Sequence, residues 1–71
     1  MKLPQISGRE LVKRLRRYGF VVVRQKGSHI RLEKNTEKGP IKITVPDHDI
    51  LKKGTLHHIL KASRVKLEEI F

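Results

Sequence analysis

Phe20-Val21-Val22-Val23-Arg24-Gln25, then Lys26-Gly27, then Ser28-His29-Ile30-Arg31-Leu32-Glu33-Lys34 is the stretch that decides the fold. Its first six residues are rich in β-branched and aromatic side chains, which suit a pleated strand better than a helix. Lys26-Gly27 reads as a tight turn, with the glycine supplying a positive φ. From Ser28 to Lys34 the residues alternate: Ile30 and Leu32 point one way, and His29, Arg31 and Glu33 the other. Two strands joined in this way pair antiparallel, with one apolar and one polar face.

Toward the C-terminus, Asn35 to Pro40 is polar and reads as a loop. Ile41, Ile43 and Val45 alternate with Lys42 and Thr44 in a third strand, which Pro46 ends. Pro46-Asp47-His48-Asp49 is loop, and Thr55 is placed to cap a helix with the apolar stripe Leu56, Ile59 and Leu60. Val65 to Phe71, with Leu67, Ile70 and Phe71, forms a short terminal turn of helix. Toward the N-terminus, Ser7 caps another helix. Glu10 stands three residues on, as a capping box requires, and Ile6 and Leu11 occupy the staple positions. Leu11, Val12 and Leu15 form its apolar stripe; Lys13, Arg14, Arg16 and Arg17 fall mostly off it. Gly19 is a natural stop for that helix. The expected fold is α+β, in the order α-β-β-β-α. A three-stranded antiparallel sheet carries two helices on its apolar face. The face with His29, Arg31, Lys42 and Thr44 is left open. Double-stranded RNA-binding domains have the same order of elements.

The chain has 71 residues, room for a single domain over residues 1–71. A domain this small buries only about 60% of its unfolded surface. With no cysteine, a disulfide, a thiolate metal site and a cysteine nucleophile are all excluded. Met1 to Gly8 has no apolar run suited to a signal sequence, and no stretch approaches the ~20 apolar residues of a membrane span. The expected location is the cytoplasm. The formal net charge is +10, from 17 Lys+Arg against 7 Asp+Glu. Up to Arg31, the bases Lys2, Arg9, Lys13, Arg14, Arg16, Arg17, Arg24, Lys26 and Arg31 face only Glu10. Surfaces that merely confer solubility mix the two signs, so this balance points to a polyanionic partner.

The cationic stretch Gln25-Lys26-Gly27-Ser28-His29 stands out for chemistry. RNA carries its own nucleophile, the 2′-hydroxyl. Cleavage needs a base for that proton, an acid for the leaving 5′-oxygen and positive charge around the phosphorus. An unperturbed histidine titrates near pH ~6.5 and serves either proton role. Lys26 and Arg31 suit the phosphate, and Gly27 lets a phosphate chain approach the backbone. The competing reading of His29 is an ordinary exposed histidine. His48 approaches His29 if its loop folds back; otherwise it is a loop residue bonded to a neighbouring aspartate. His57 and His58 flank the second helix's stripe and are read as exposed. No pair of histidines has metal-ligand spacing. Lys52-Lys53-Gly54-Thr55 reads either as an anion site at a helix N-terminus or as a plain cap. Phe20 and Phe71 sit at core-like positions. Base stacking is therefore a poor mode of recognition, and phosphate contacts with steep salt dependence are expected instead.

Ser7-Gly8-Arg9-Glu10-Leu11, Tyr18-Gly19-Phe20, Arg24 to His29, Val45-Pro46 with His48, and Lys53-Gly54-Thr55-Leu56 to Ile59-Leu60 resemble the HicA (YcfA-like) toxins. The resemblance runs from about Leu3 to Phe71. It implies a fold like that of double-stranded RNA-binding domains and ribosome-independent cleavage of messenger RNA. It makes the histidine of the glycine-serine-histidine motif, here His29, the catalytic residue. It also implies a HicB-type antitoxin partner and no metal cofactor. Two positions depart from the family's pattern. Ala62-Ser63-Arg64 stands where many relatives end the second helix with glycine, and Ile30 stands where a second histidine often follows the first. In this reading Ser28 orients His29 or bonds the backbone. Arg14 and Arg17 on the first helix, with Lys52 and Lys53, track the RNA. The alternative is a non-catalytic binding module for double-stranded RNA, which needs phosphate contacts but no titratable residue at a strand end. Whether His29 acts alone or with His48 or Lys26, and the oligomeric state, are left open at this level.

Overall fold

The computed structural model describes residues 4–71. Lys2, one of the bases, and Leu3, where the family resemblance begins, lie outside the described residues. The elements are α1 (Gly8–Arg16), β1 (Val21–Lys26), β2 (His29–Thr36), β3 (Gly39–Pro46), α2 (Lys53–Ser63) and α3 (Leu67–Ile70). The strands form an antiparallel sheet in the order β1-β2-β3. The α+β class and the three-stranded sheet are those expected from the sequence. Ile30, Leu32, Ile41, Ile43 and Val45 point to the covered face. There they join Leu11, Val12, Leu15, Leu56, Ile59 and Leu60 in one buried cluster. Each such side chain contributes about 1.5–3 kcal/mol by leaving water. His29, Arg31, Lys42 and Thr44 are exposed on the opposite face, as their alternation requires.

Several boundaries differ from the sequence reading. The first turn is Gly27-Ser28 and not Lys26-Gly27, so β2 begins at His29 and Lys26 pairs with it. Gly27 has φ +58° at the first central position, where a two-residue hairpin of the II′ kind wants glycine. The polar loop 35–40 contracts to Glu37-Lys38. The Thr36 hydroxyl donates to the Gly39 carbonyl at 2.6 Å and accepts from the Lys38 N–H at 3.2 Å, and this side-chain turn closes a longer hairpin. Thr55 is not the cap of α2. The extended residue before the helix is Lys52, because Leu51 is buried and its N–H is fixed to the Ile6 carbonyl at 2.9 Å. At α1, Ser7 accepts from the Glu10 N–H at 3.1 Å as expected, while the Glu10 carboxylate lies 3.9 Å from Arg14. Phe20 is buried as expected, but Phe71 is 38% exposed and lies outside the core.

Two local features fix where α1 begins and where α2 ends. Gly8, the first residue of α1, donates to the His48 carbonyl at 2.9 Å. A Cβ at this position would overlap the Pro46 carbonyl oxygen and stand 3.3 Å from the Asp47 Cα. At the other end of α2, Arg64 takes the left-handed conformation with φ 62°. Beside it the buried Ser63 hydroxyl donates to the Leu60 carbonyl at 2.8 Å and accepts from the Val65 N–H at 3.2 Å. The helix thus ends without a glycine, at some strain for a side-chain-bearing residue.

Gly8→Ala is expected to lower unfolding stability by about 1–3 kcal/mol, the range for a forced steric insertion; urea denaturation measures it. Arg64→Gly is expected to raise stability by up to about 1 kcal/mol, relief of the left-handed strain exceeding the entropy cost of glycine. An unchanged or lowered urea midpoint for Arg64→Gly would contradict that account.

Candidate functional site

β1 carries one residue more than β2 needs. Val22 pairs with Leu32 and Arg24 with Arg31, so Val23 is an unpaired bulge between them. Val22 opposite Leu32 belongs to the covered side. Simple alternation from there would send Arg24 and Lys26 to that side too. The extra residue reverses the phase, and both side chains arrive on the open face beside Arg31 and His29.

Two rows then cross the open face at one end of the sheet. Lys26, His29 and Pro46 make the first; Arg24, Arg31 and Thr44 make the second. Between them lies a shallow hollow of about 360 Å³, lined by Arg24, Lys26, His29, Arg31 and Thr44. Among the described residues the ion pairs are Arg9 with Asp47 and Arg14 with Glu10. The three cations of the hollow therefore have no carboxylate partner. Three charges without an ion-pair partner beside one histidine give the hollow the chemistry to attract an anion such as a phosphate.

The rim is held from below. The Asp47 N–H donates to the Ser28 carbonyl at 2.6 Å, and Gln25 Nε2 donates to the Gly27 carbonyl at 3.3 Å. Arg9 grips the Asp47 carboxylate through Nε at 3.0 Å and Nη2 at 3.1 Å, and that carboxylate pushes the Arg9 guanidinium pKa further up. An exposed pair of this kind adds little stability. Its effect is to orient the segment that meets the glycine-serine turn.

The sequence-derived candidates fall into two groups. His29, Lys26 and Arg31 are brought together in the hollow, with Gly27 and Ser28 forming the turn at its end. Ser28 acts through its backbone carbonyl. His48 is exposed and holds α1 through its own carbonyl, and it is not among the residues lining the hollow. Lys52 and Lys53 are exposed at the start of α2, whose first turn has no acidic residue. They stand at the same end of the sheet as His29, since residues 47–51 bond to Ser28, Gly8 and Ile6. Arg17 is exposed at the far end of α1, about 13 Å along the helix from Gly8. Arg14 is engaged elsewhere. Its Nη1 donates to the Ile70 carbonyl at 3.2 Å, and its guanidinium lies 5.2 Å from the centre of the Phe71 ring. With the Tyr18 hydroxyl donating to the Glu69 carbonyl at 2.6 Å, it docks α3 onto α1. His57 and His58 are exposed on α2. Arg24 is the site residue that sequence reasoning missed. The available signal was its place two residues before Lys26: once the turn is set at Gly27-Ser28, Arg24 must share the face of His29.

Fold and site together define a small, strongly basic α+β protein with a cation-lined hollow that includes a histidine. Residues 8–65 match the family described as HicA toxin of bacterial toxin-antitoxin, and the chain belongs to that family. No curated protein matches it. Membership makes the chain the toxin of a toxin-antitoxin system, and a toxin of that kind has an antitoxin partner. Among the described residues no helix is long and apolar enough to cross a membrane.

Arg14, within α1, and Arg17, which caps its end, are expected to behave differently. Arg14→Ala should lower stability by about 1–2 kcal/mol, through the lost carbonyl bond and the lost contact with the Phe71 ring. Arg17→Ala should stay within about 0.5 kcal/mol of the parent. Thermal or urea unfolding of the two variants measures both.

Proposed function

We propose that this toxin is a ribosome-independent endoribonuclease that cleaves messenger RNA in the cytoplasm and so blocks translation. The observation that carries the reading is the set of cations without carboxylate partners around His29 on an open sheet face. An open face admits a chain, where a closed pocket would admit only a small molecule. The scissile phosphate rests between Arg24, Lys26 and Arg31, which neutralise the charge that gathers on its oxygens as the phosphorus becomes five-coordinate. His29 stands at the edge of that cluster and serves as base or acid. As base it takes the proton of the 2′-hydroxyl, whose oxygen attacks the phosphorus while the 5′-oxygen leaves with a proton from water or from Lys26. As acid it supplies that second proton instead, and water takes the proton of the 2′-hydroxyl. Either way the RNA supplies the nucleophile and no metal ion is needed. Lys52 and Lys53 extend the positive edge for the flanking backbone, with Arg17 as a more distant contact. A HicB-type antitoxin silences the toxin by covering the same face.

The test is cleavage of RNA by purified protein, parent beside His29→Ala, each with a metal chelator and each shown to be folded. Cleavage by the parent alone, abolished when the RNA is 2′-O-methylated, is the expected result. His29 is exposed, so its loss should leave stability within about 0.5 kcal/mol. Binding without cleavage by both proteins would instead favour a module that holds double-stranded RNA, a role for which the element order and the basic start of α2 also suffice.

A further inference from the structure

β1 is an outer strand of the sheet, and all six of its residues are exposed. Val21 is 60% exposed, Val22 38% and Val23 50%. An outer strand presents a row of backbone N–H and C=O groups to any extended chain, and proteins normally guard it with charge. Here only the second half is guarded, by Arg24 and Lys26. The first half is a bare run of valines. Beside it on the open face lies a second hollow, of about 320 Å³, lined by Gly19, Val21, Val23, Glu33 and Asn35. It is wide enough to take a side chain from a neighbouring strand.

Charge selects the occupant. A second copy of this chain brings another net charge of +10 and, on its own β1, no carboxylate. Like charges close together across an interface oppose such pairing. An acidic partner faces no such barrier. We infer that β1 is the docking edge for an extended strand of the antitoxin. That strand is apolar where it runs beside Val21 and Val23, and acidic where it runs beside Arg24 and Lys26. Main-chain bonds along β1 supply the register, and alternate side chains supply the selectivity. The bulge then couples docking to inhibition. Because Val23 turns Arg24 and Lys26 toward His29, the carboxylates that pair with them also occupy two of the three cations of the hollow. A strand on the edge thus competes with phosphate without reaching His29 itself. This inference rests on the antitoxin partner that family membership brings, and not on the ribonuclease reading.

Amide hydrogen exchange on the toxin–antitoxin complex and on the free toxin tests it. The amides of Val21–Lys26 should exchange at least about tenfold more slowly in the complex. The variant Val21→Asn keeps the charge of the hollow, leaves the bulge at Val23 in place and changes one exposed side chain. Circular dichroism and a thermal melt confirm its fold. It should bind the antitoxin at least about tenfold more weakly, a loss of about 1.4 kcal/mol, yet bind a 2′-O-methylated RNA as the parent does. Equal exchange of β1 in the free and bound toxin overturns the proposal. So does a parent dimer that the Val21→Asn variant dissolves, since the edge would then belong to a second copy. None of these readouts requires cleavage, so a toxin that fails to cut RNA leaves the result interpretable.

Discussion

A β-strand sends successive side chains to opposite faces, so one inserted residue reverses every assignment beyond it. Val23 is that residue in this protein. Before it, β1 is in phase with Leu32 and the covered face. After it, Arg24 and Lys26 face the open side with Arg31 and His29. The contribution of β1 to the hollow, Arg24 and Lys26, goes with that shift. The remaining cation, Arg31, sits on β2 with His29, where the alternation of Ile30 and Leu32 against His29 and Arg31 is fixed by burial.

The core makes this arrangement tolerable. Arg24, Lys26 and Arg31 repel one another and are not relieved by any carboxylate among the described residues. Such a cluster works against the folded state and has to be offset by packing elsewhere. The offset comes from the buried cluster under the sheet and from close backbone contacts at its end. Gly8 meets Pro46 and His48, Ser28 meets Asp47, and Leu51 meets Ile6. Those contacts bring the starts of α1 and α2 to the turn that precedes His29. Stability and site geometry therefore share the same few residues. The unguarded valines of β1 fit the same pattern: they are unfavourable in an isolated molecule and reasonable in one that has an antitoxin partner.

Much of the fold is legible in the residue pattern alone. Ile41, Ile43 and Val45 mark β3, and Leu11, Val12 and Leu15 mark the buried stripe of α1, because burial on one side imposes a period that survives in the sequence. The place of His29 on the polar face follows from the same logic. Less is legible where polar residues make structure through side-chain bonds. Thr36 converts an apparent loop into a tight hairpin end, and Ser63 allows a helix to stop at Arg64 without glycine. Arg14 reads as a free cation because its partners, the Ile70 carbonyl and the Phe71 ring, lie at the opposite end of the chain.

The sequence by itself determined the class of fold, the sign of the net charge and the place of His29 on the polar face of the sheet. These depend on local periodicity and on composition, which each residue carries with it. Tertiary structure decided that Arg24 belongs to the site, that Arg14 belongs to the scaffold and that three valines are left at an open edge. Val21-Val22-Val23-Arg24-Gln25-Lys26 has no apolar alternation of its own and can be read in either phase. Only pairing with β2, and the bulge which that pairing imposes, chooses between them.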